Sequence, residues 1–227
     1  GLARTGYTFV GWNSADEGGG TDYAEGGSYT TDANITLYAQ WTANTYTVTF
    51  DRQGGTGGSA SVSATFGEPM PAATAPMNVD AVFDGYYTQA NGAGTQYDAA
   101  AMESARDWDI SADTQLFASW LYSVGDSGPA GGIIFYDDEA DGTDDIAGAR
   151  YLEVAPESTE WSGAPWGDYG TEIGGDAQLT GIGDGQTATN AVVAHMEGKS
   201  ITGTAAQRAY GLSHGGYTDW FLPSKGK

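Results

Sequence analysis

Four short stretches bring together residue types that do chemistry in proteins. Gly125-Asp-Ser127-Gly128-Pro129 sets a serine hydroxyl in a tight glycine turn, as an acyl-transfer nucleophile would be set. Such a serine needs a base within hydrogen-bond reach and an acid that holds the base. The two histidines, His195 and His214, both come later and in unrelated surroundings, so Ser127 reads as part of a Gly-Pro turn. In residues 137–145, Asp137, Glu139, Asp141 and Asp145 fall at positions 1, 3, 5 and 9 of a calcium loop, with Gly142 at position 6. Position 12 should be a bidentate Glu and is Gly148, and no helix flanks the loop. Weak calcium binding by these four carboxylates is the one cofactor expectation, and a solvated acidic loop is the plainer reading. Neither histidine has a second nitrogen or sulfur ligand near it in sequence. Gly181-Ile-Gly183-Asp-Gly185 lacks the Lys-Ser/Thr of a phosphate loop and no clear strand precedes it. No catalytic or cofactor-binding residue is assigned, and the expectation is a chain that is not an enzyme.

Composition sets the elements that must carry these stretches. The 227 residues include 36 Gly, 7 Trp, 14 Tyr and 7 Phe, which favours short strands joined by turns around aromatic cores. The formal net charge is −22. It is evenly spread: residues 1–121 hold three basic and fourteen acidic groups, residues 122–227 five and sixteen, −11 each. Such a surface repels phosphate backbones, which excludes nucleic acid as an expected partner. The absence of cysteine excludes disulfides and thiolate chemistry. No apolar run reaches the length of a membrane span. Residues 1–9, GLARTGYTF, lack a signal-peptide core and an initiator Met, so the sequence is expected to be a segment of a longer protein.

Sliding the chain over itself exposes a repeat. A shift of 74 places Phe9, Gly11 and Trp12 on Phe83, Gly85 and Tyr86, then Gly20-Thr21 on Gly94-Thr95 and Tyr23 on Tyr97. A shift of 79 places Leu37-Tyr-Ala-Gln-Trp41 on Leu116-Phe-Ala-Ser-Trp120. One complete copy covers 45–121, and 1–42 is the back part of another. Within the complete copy, Thr45–Arg52 alternates apolar and polar residues and predicts a strand. The turn at 54–59 and the run Ala60–Phe66 complete a hairpin. The prolines of 68–76 require an extended connection. Ala81–Tyr87 and Thr114–Trp120 are further strands, and Asp98–Arg106 is read as a short helix. The Phe-x-Gly-Trp and Ile-Thr-Leu-Tyr-Ala-Gln-Trp motifs resemble the internalin-type B repeat, also called the Listeria–Bacteroides repeat. That resemblance implies small β-grasp-like modules strung in tandem on bacterial surface and secreted proteins, with no catalytic residues.

From Tyr122 the texture changes. Gly132–Tyr136 and Arg150–Ala155 are expected strands, and 157–187 a loop-rich stretch. Asn190–Glu197 is an expected helix capped by Thr187 or Thr189, and Thr204–Tyr210 a second one. Five blocks, at Val124–Tyr136, Tyr151–Pro156, Trp166-Gly167, Gly183–Asn190 and Gly216–Lys225, resemble a bacterial surface-protein domain of unknown function that is similar to C-type-lectin-like folds. The resemblance implies that Gly128, Pro129, Gly131, Gly132, Trp220, Leu222 and Pro223 build the fold. Trp220–Pro223 would form a strand and turn, with the ligand-binding strands beyond Lys227. The overall expectation is a mainly β, or α+β, chain: a partial B-type repeat (1–42), a complete one (45–121) and a C-terminally incomplete lectin-like domain (122–227). It would be extracellular or on the cell surface, with an extracellular protein or glycan as ligand and no membrane insertion of its own. A purely structural envelope spacer is the alternative.

Overall fold

A computed structural model describes residues 1–138, 150–166, 168, 171–179 and 184–222. The chain divides into two compact units, Gly1–Leu121 and Tyr122–Lys227, and is mostly β-sheet with few helices.

The first unit holds two sheets. β1 (Tyr7–Asn13), β2 (Asp22–Tyr23) and β3 (Tyr38–Ala43) form an antiparallel sheet in the order β2-β1-β3. Asn44 alone separates β3 from β4 (Thr45–Asp51). With β5 (Ser61–Thr65), β6 (Val82–Tyr87), β7 (Gln96–Ala99) and β8 (Thr114–Leu121), β4 builds a five-stranded sheet in the order β5-β4-β8-β6-β7. β4 and β8 run parallel, and the other neighbours antiparallel. The alternation in β4 sends Val48 and Phe50 into the core and leaves Thr45, Thr47 and Thr49 in solvent, the period of two that a half-buried strand requires. Phe50 lies against Tyr86, ring centroids 4.3 Å apart, and Phe83 packs edge-on against both Tyr86 and Trp120. The Trp120 indole N–H donates to the Arg52 carbonyl at 3.0 Å, so its polar edge is satisfied inside the core.

Residues 98–106 do not form the expected helix. Tyr97 and Asp98 stay in β7, and the chain reverses through Met102, whose φ is 58°. The Met102 N–H donates to the Ala99 carbonyl, and the Ala105 N–H reaches back to the Tyr97 carbonyl. A helix this short is marginal whatever its alanine content. Burying Tyr97 against Trp108, centroids 4.8 Å apart, outweighs that propensity.

In the second unit, β9 (Ile133–Asp137) and β10 (Tyr151–Val154) form an antiparallel pair. Two short 3-10 turns follow, at Glu157–Thr159 and Gly175–Gln178, and then α1 (Gly185–Gly198) and α2 (Ala205–Tyr210). α2 starts at a capping box in which the buried Thr204 hydroxyl accepts the Gln207 N–H and the Gln207 side chain returns to Thr204. α1 begins five residues earlier than expected, and neither Thr187 nor Thr189 caps it. Its N-cap is Asp184, with no side-chain cap bond. Packing sets the start instead: a Cβ on Gly185 would lie 2.4 Å from the Phe221 ring. Thr189 is buried inside the helix, where its hydroxyl accepts the Leu222 N–H at 3.0 Å. Trp220–Leu222 make no strand, contrary to expectation, and Pro223 lies outside the described residues. Phe221 and Leu222 lie against α1 after a turn in which His214 and Tyr217 exchange backbone hydrogen bonds, with Gly215 and Gly216 at positive φ.

Candidate functional site

The feature the molecule builds twice is a bulged hairpin. In β1–β3, Phe9, Gly11, Trp12 and Asn13 face Trp41, Gln40, Ala39 and Tyr38. In β6–β8, Phe83, Gly85, Tyr86 and Tyr87 face Trp120, Ser119, Ala118 and Phe117. The two registers are the same, and so is the bulge between Phe and Gly. Gly11 has φ 141° and Gly85 φ 144°, values that L side chains avoid. The loops after β1 and β6 are closed alike. The Ser14 hydroxyl accepts the Thr21 N–H at 2.8 Å, and the Thr88 hydroxyl accepts the Thr95 N–H at 2.9 Å. A Cβ on Gly20 or Gly94 would come within 2.2 or 2.3 Å of that hydroxyl, which is why glycine precedes threonine in both copies. One equivalence escaped the sequence reading: the shift of 79 also relates Tyr29 to Trp108, and these rings pack on the aligned Tyr23 and Tyr97.

The copies meet through one clamped residue. The Asn44 N–H donates to the Gly6 carbonyl, and the Asn44 carbonyl accepts from the Phe66 N–H, both at 2.9 Å. The Phe66 ring covers Gly6 so closely that a Cβ there would sit 2.2 Å from it, and Tyr7 packs edge-on against the same ring.

In the second unit, the 125–134 segment is a tight turn organised by Glu153 of β10. Its carboxylate accepts the N–H groups of Ala130 and Gly132 at 3.1 and 3.0 Å, charge-assisted bonds that hold the turn onto the strand. Gly128 gives its space to the Glu153 side chain and Gly132 to the Val154 carbonyl, while Gly131 has φ 80°. Pro129 lies between them. Ser127 forms a backbone bridge to Ile133, and no hydrogen bond joins it to either histidine among the described residues. Sequence reasoning gave Glu153 no role; the signal was a lone carboxylate in an otherwise apolar strand, whose partners lie more than twenty residues away.

Asp137 is bound by the Arg150 guanidinium, 3.1 Å away across the hairpin. Glu139, Asp141 and Asp145 lie outside the described residues, as does Pro223. Among the described residues no three acidic or histidine side chains converge as metal ligands. His195 approaches Asp168 at 3.4 Å, and Lys199 binds the same oxygen at 2.6 Å. The Lys199 hydrogen bond, with help from Thr171 and His195, lowers the Asp168 carboxyl to about 2. Lys199 is half exposed and Asp168 and His195 largely covered, so the three side chains form an ion-paired cluster at the edge of α1. His214 meets the Trp220 ring edge-on, and Trp220 and Leu222 are half-buried.

Among the described residues, the strongly perturbed core acid is Asp98. It sits opposite Tyr86, 1% exposed, and one of its oxygens has no hydrogen-bond partner. Desolvation raises its pKa to about 6.

A bulged hairpin built twice in one register, with successive copies joined through a single residue, defines a tandem-repeat protein. The chain belongs to the Listeria–Bacteroides repeat domain family, whose family model matches residues 1–40 and 46–119. It is similar to a putative Gly-rich membrane protein of Evansella cellulosilytica, 38% identical over 91 residues, covering 38% of this chain and 10% of that protein. A putative membrane protein of the same organism is 46% identical over 44 residues, 19% of this chain and 7% of that one. Internalin H of Listeria monocytogenes is 38% identical over 98 residues, 43% of this chain and 17% of internalin H. The chain thus spans less than a fifth of the length of each of these relatives. No solved structure matches it. No helix among the described residues is long and apolar enough to cross a membrane.

Proposed function

We propose that this chain is a non-catalytic stretch of a bacterial cell-surface or secreted protein. Tandem β-grasp-like modules form its stalk, and residues 122–227 belong to a C-type-lectin-like domain, incomplete at its C-terminal end in this sequence, whose ligand is an extracellular protein or glycan. The observation that carries the stalk is the one-residue joint at Asn44, clamped by Gly6 and Phe66, which suits a rod of modules in fixed succession. The mixed sheet with β4 and β8 parallel supports the β-grasp-like reading. Family membership and the similarity to internalin H and to two putative membrane proteins support the location. The lectin-like reading rests on the five sequence blocks alone. A second reading, a spacer whose end domain only caps the rod, is favoured by the same clamped joint.

Antibodies raised against the chain are expected to label intact cells of the source bacterium, or its culture medium. Signal appearing only after lysis would overturn the location. On arrays of glycans and extracellular-matrix proteins, the source protein should bind a defined subset. Uniform failure to bind would favour the spacer.

A further inference from the structure

The five-stranded sheet of residues 45–121 buries one face, and its other face is covered only in part. Residues paired across strands share a face, so the registers read that surface strand by strand. On β4, Thr45, Thr47 and Thr49 are exposed, opposite Thr65, Ser63 and Ser61 of β5. Gln115 of β8 lies beside Thr49 and is exposed as well. Two residues further along β8, Phe117 lies opposite Tyr87 of β6, and Tyr87 opposite Gln96 of β7. Both rings are half-buried. The Tyr87 hydroxyl donates to the Asp84 carboxylate at 2.9 Å, and the Gln96 side-chain amide donates to the Asp84 carbonyl at 3.3 Å. The loop 88–95 walls one side, where a Cβ on Gly92 would stand 2.9 Å from the Ser119 hydroxyl. On the other side, Thr47, Thr49, Asp113, Thr114 and Gln115 line an open basin of about 320 Å³.

The first copy does not build this surface. Asn13 stands where Tyr87 does, and it is fully buried in its own loop, hydrogen-bonded to Ala15, Gly18, Gly20 and Asp22. Asp22 stands at the position of Gln96, and Thr36 at that of Gln115. The shared hairpin forms without a ring or amides at these positions, so its packing does not account for them. We infer that the outer face of residues 45–121 is a binding site for a neutral oligosaccharide chain. A sugar ring offers a face of C–H groups and a rim of hydroxyls. Phe117 and Tyr87 present aromatic surface to the first. The amides of Gln96 and Gln115 and the hydroxyls of Thr47 and Thr49 both donate and accept, as the second requires. From β4 to β7 the face crosses three strand spacings, about 14 Å, longer than one sugar ring. The ionisable groups that border it, Asp51, Asp84 and Asp113, are acidic, on a chain of net charge −22, so anionic glycans are repelled. Two half-buried rings are too little apolar surface for the core of a protein interface. The site lies outside residues 122–227 and does not depend on the lectin-like reading.

NMR shift mapping on a chain of residues 1–227 tests the site. The probes are cellotetraose, chitotetraose, maltotetraose and mannotetraose, each up to ~10 mM, where a site of millimolar Kd fills. At least one is expected to shift the amides of Thr49, Gln115, Phe117 and Tyr87. Tyr87→Asn, which places the first copy's residue there, should weaken that binding by about tenfold or more. Gln115→Ala, at an exposed position, should weaken it severalfold. Slow hydrogen exchange at Val48 and Leu116 reports in every variant that the module is folded. The inference is overturned if no neutral probe shifts these amides, or if both variants, folded, bind as tightly as the parent. Shifts confined to residues 122–227 would overturn it while supporting the lectin-like reading. A heparin oligosaccharide or a lysine-rich peptide that shifts the face where no neutral probe does would overturn it too, because the occupant would then be an anionic glycan or a basic protein segment.

Discussion

In residues 45–121 the ring at the centre of the bulged strand, Tyr86, is fully buried, whereas its counterpart Trp12 in residues 1–43 is half-buried. Trp108 is 0% exposed and ties its backbone to Gly67 and Glu68, while its counterpart Tyr29 is 38% exposed. Yet the registers, the bulge and the hydroxyl-closed loop agree in both copies. The hairpin's shape is therefore local, set by one glycine at the bulge and one beside a hydroxyl. Burial is not local. It comes from β4, β5 and the 67–70 segment, whose equivalents are not among residues 1–43.

The sharpest way to break this comparison is at the bulge glycines. A Cβ on Gly85 would stand 2.3 Å from the Asp98 carbonyl, and on Gly11 3.0 Å from the Tyr23 carbonyl. Both positions carry the backbone strain of a φ near 140°, and Gly85 adds a clash inside a closed core. Gly85→Ala is expected to destabilise its module by about 3–5 kcal/mol and Gly11→Ala by about 1–3 kcal/mol, measured by urea unfolding. Equal costs would mean that the two cores are closed to the same degree.

A smaller effect should distinguish the copies by pH. Asp98 has Ala24 as its counterpart, so only the complete copy buries this carboxyl. Burial raises its folded pKa from the ordinary aspartate value of 3.8 to about 6. The proton is thus held more tightly in the folded state, and the associated stability is fully present below about 3.8 and lost as pH rises through about 6. Asp98→Asn removes the ionisation while keeping the shape. The variant should gain up to about 3 kcal/mol over the parent at pH 8 and lose that advantage below pH 4. A pH-independent difference between the two would show that Asp98 is not held neutral by burial.

Much of this organisation was legible in the residues. The paired Phe-x-Gly-aromatic and Leu-aromatic-Ala motifs are spaced as the register requires, and the alternation in Thr45–Arg52 is that of a strand with one wet face. What could not be read depended on partners remote in sequence. The Asp98–Arg106 stretch has helix-forming composition, but Tyr97 and Trp108 hold it open from both ends. The start of α1 is set by Phe221 lying over Gly185, more than thirty residues on. Glu153 organises a turn that was legible only as a run of glycines. The family implied the modules' tandem arrangement; it carried no information on which copy would be closed.

The account's central claim is that the two copies are one hairpin unit, closed in 45–121 and open in 1–43. Residue-resolved hydrogen exchange on a chain of residues 1–227 tests it most directly. The amides of the bulged strands should be protected in both copies, those of Thr114–Phe117 strongly protected, and those of Ile35–Tyr38 close to unprotected. Protection at Ile35–Tyr38 equal to that at Thr114–Phe117 would contradict it.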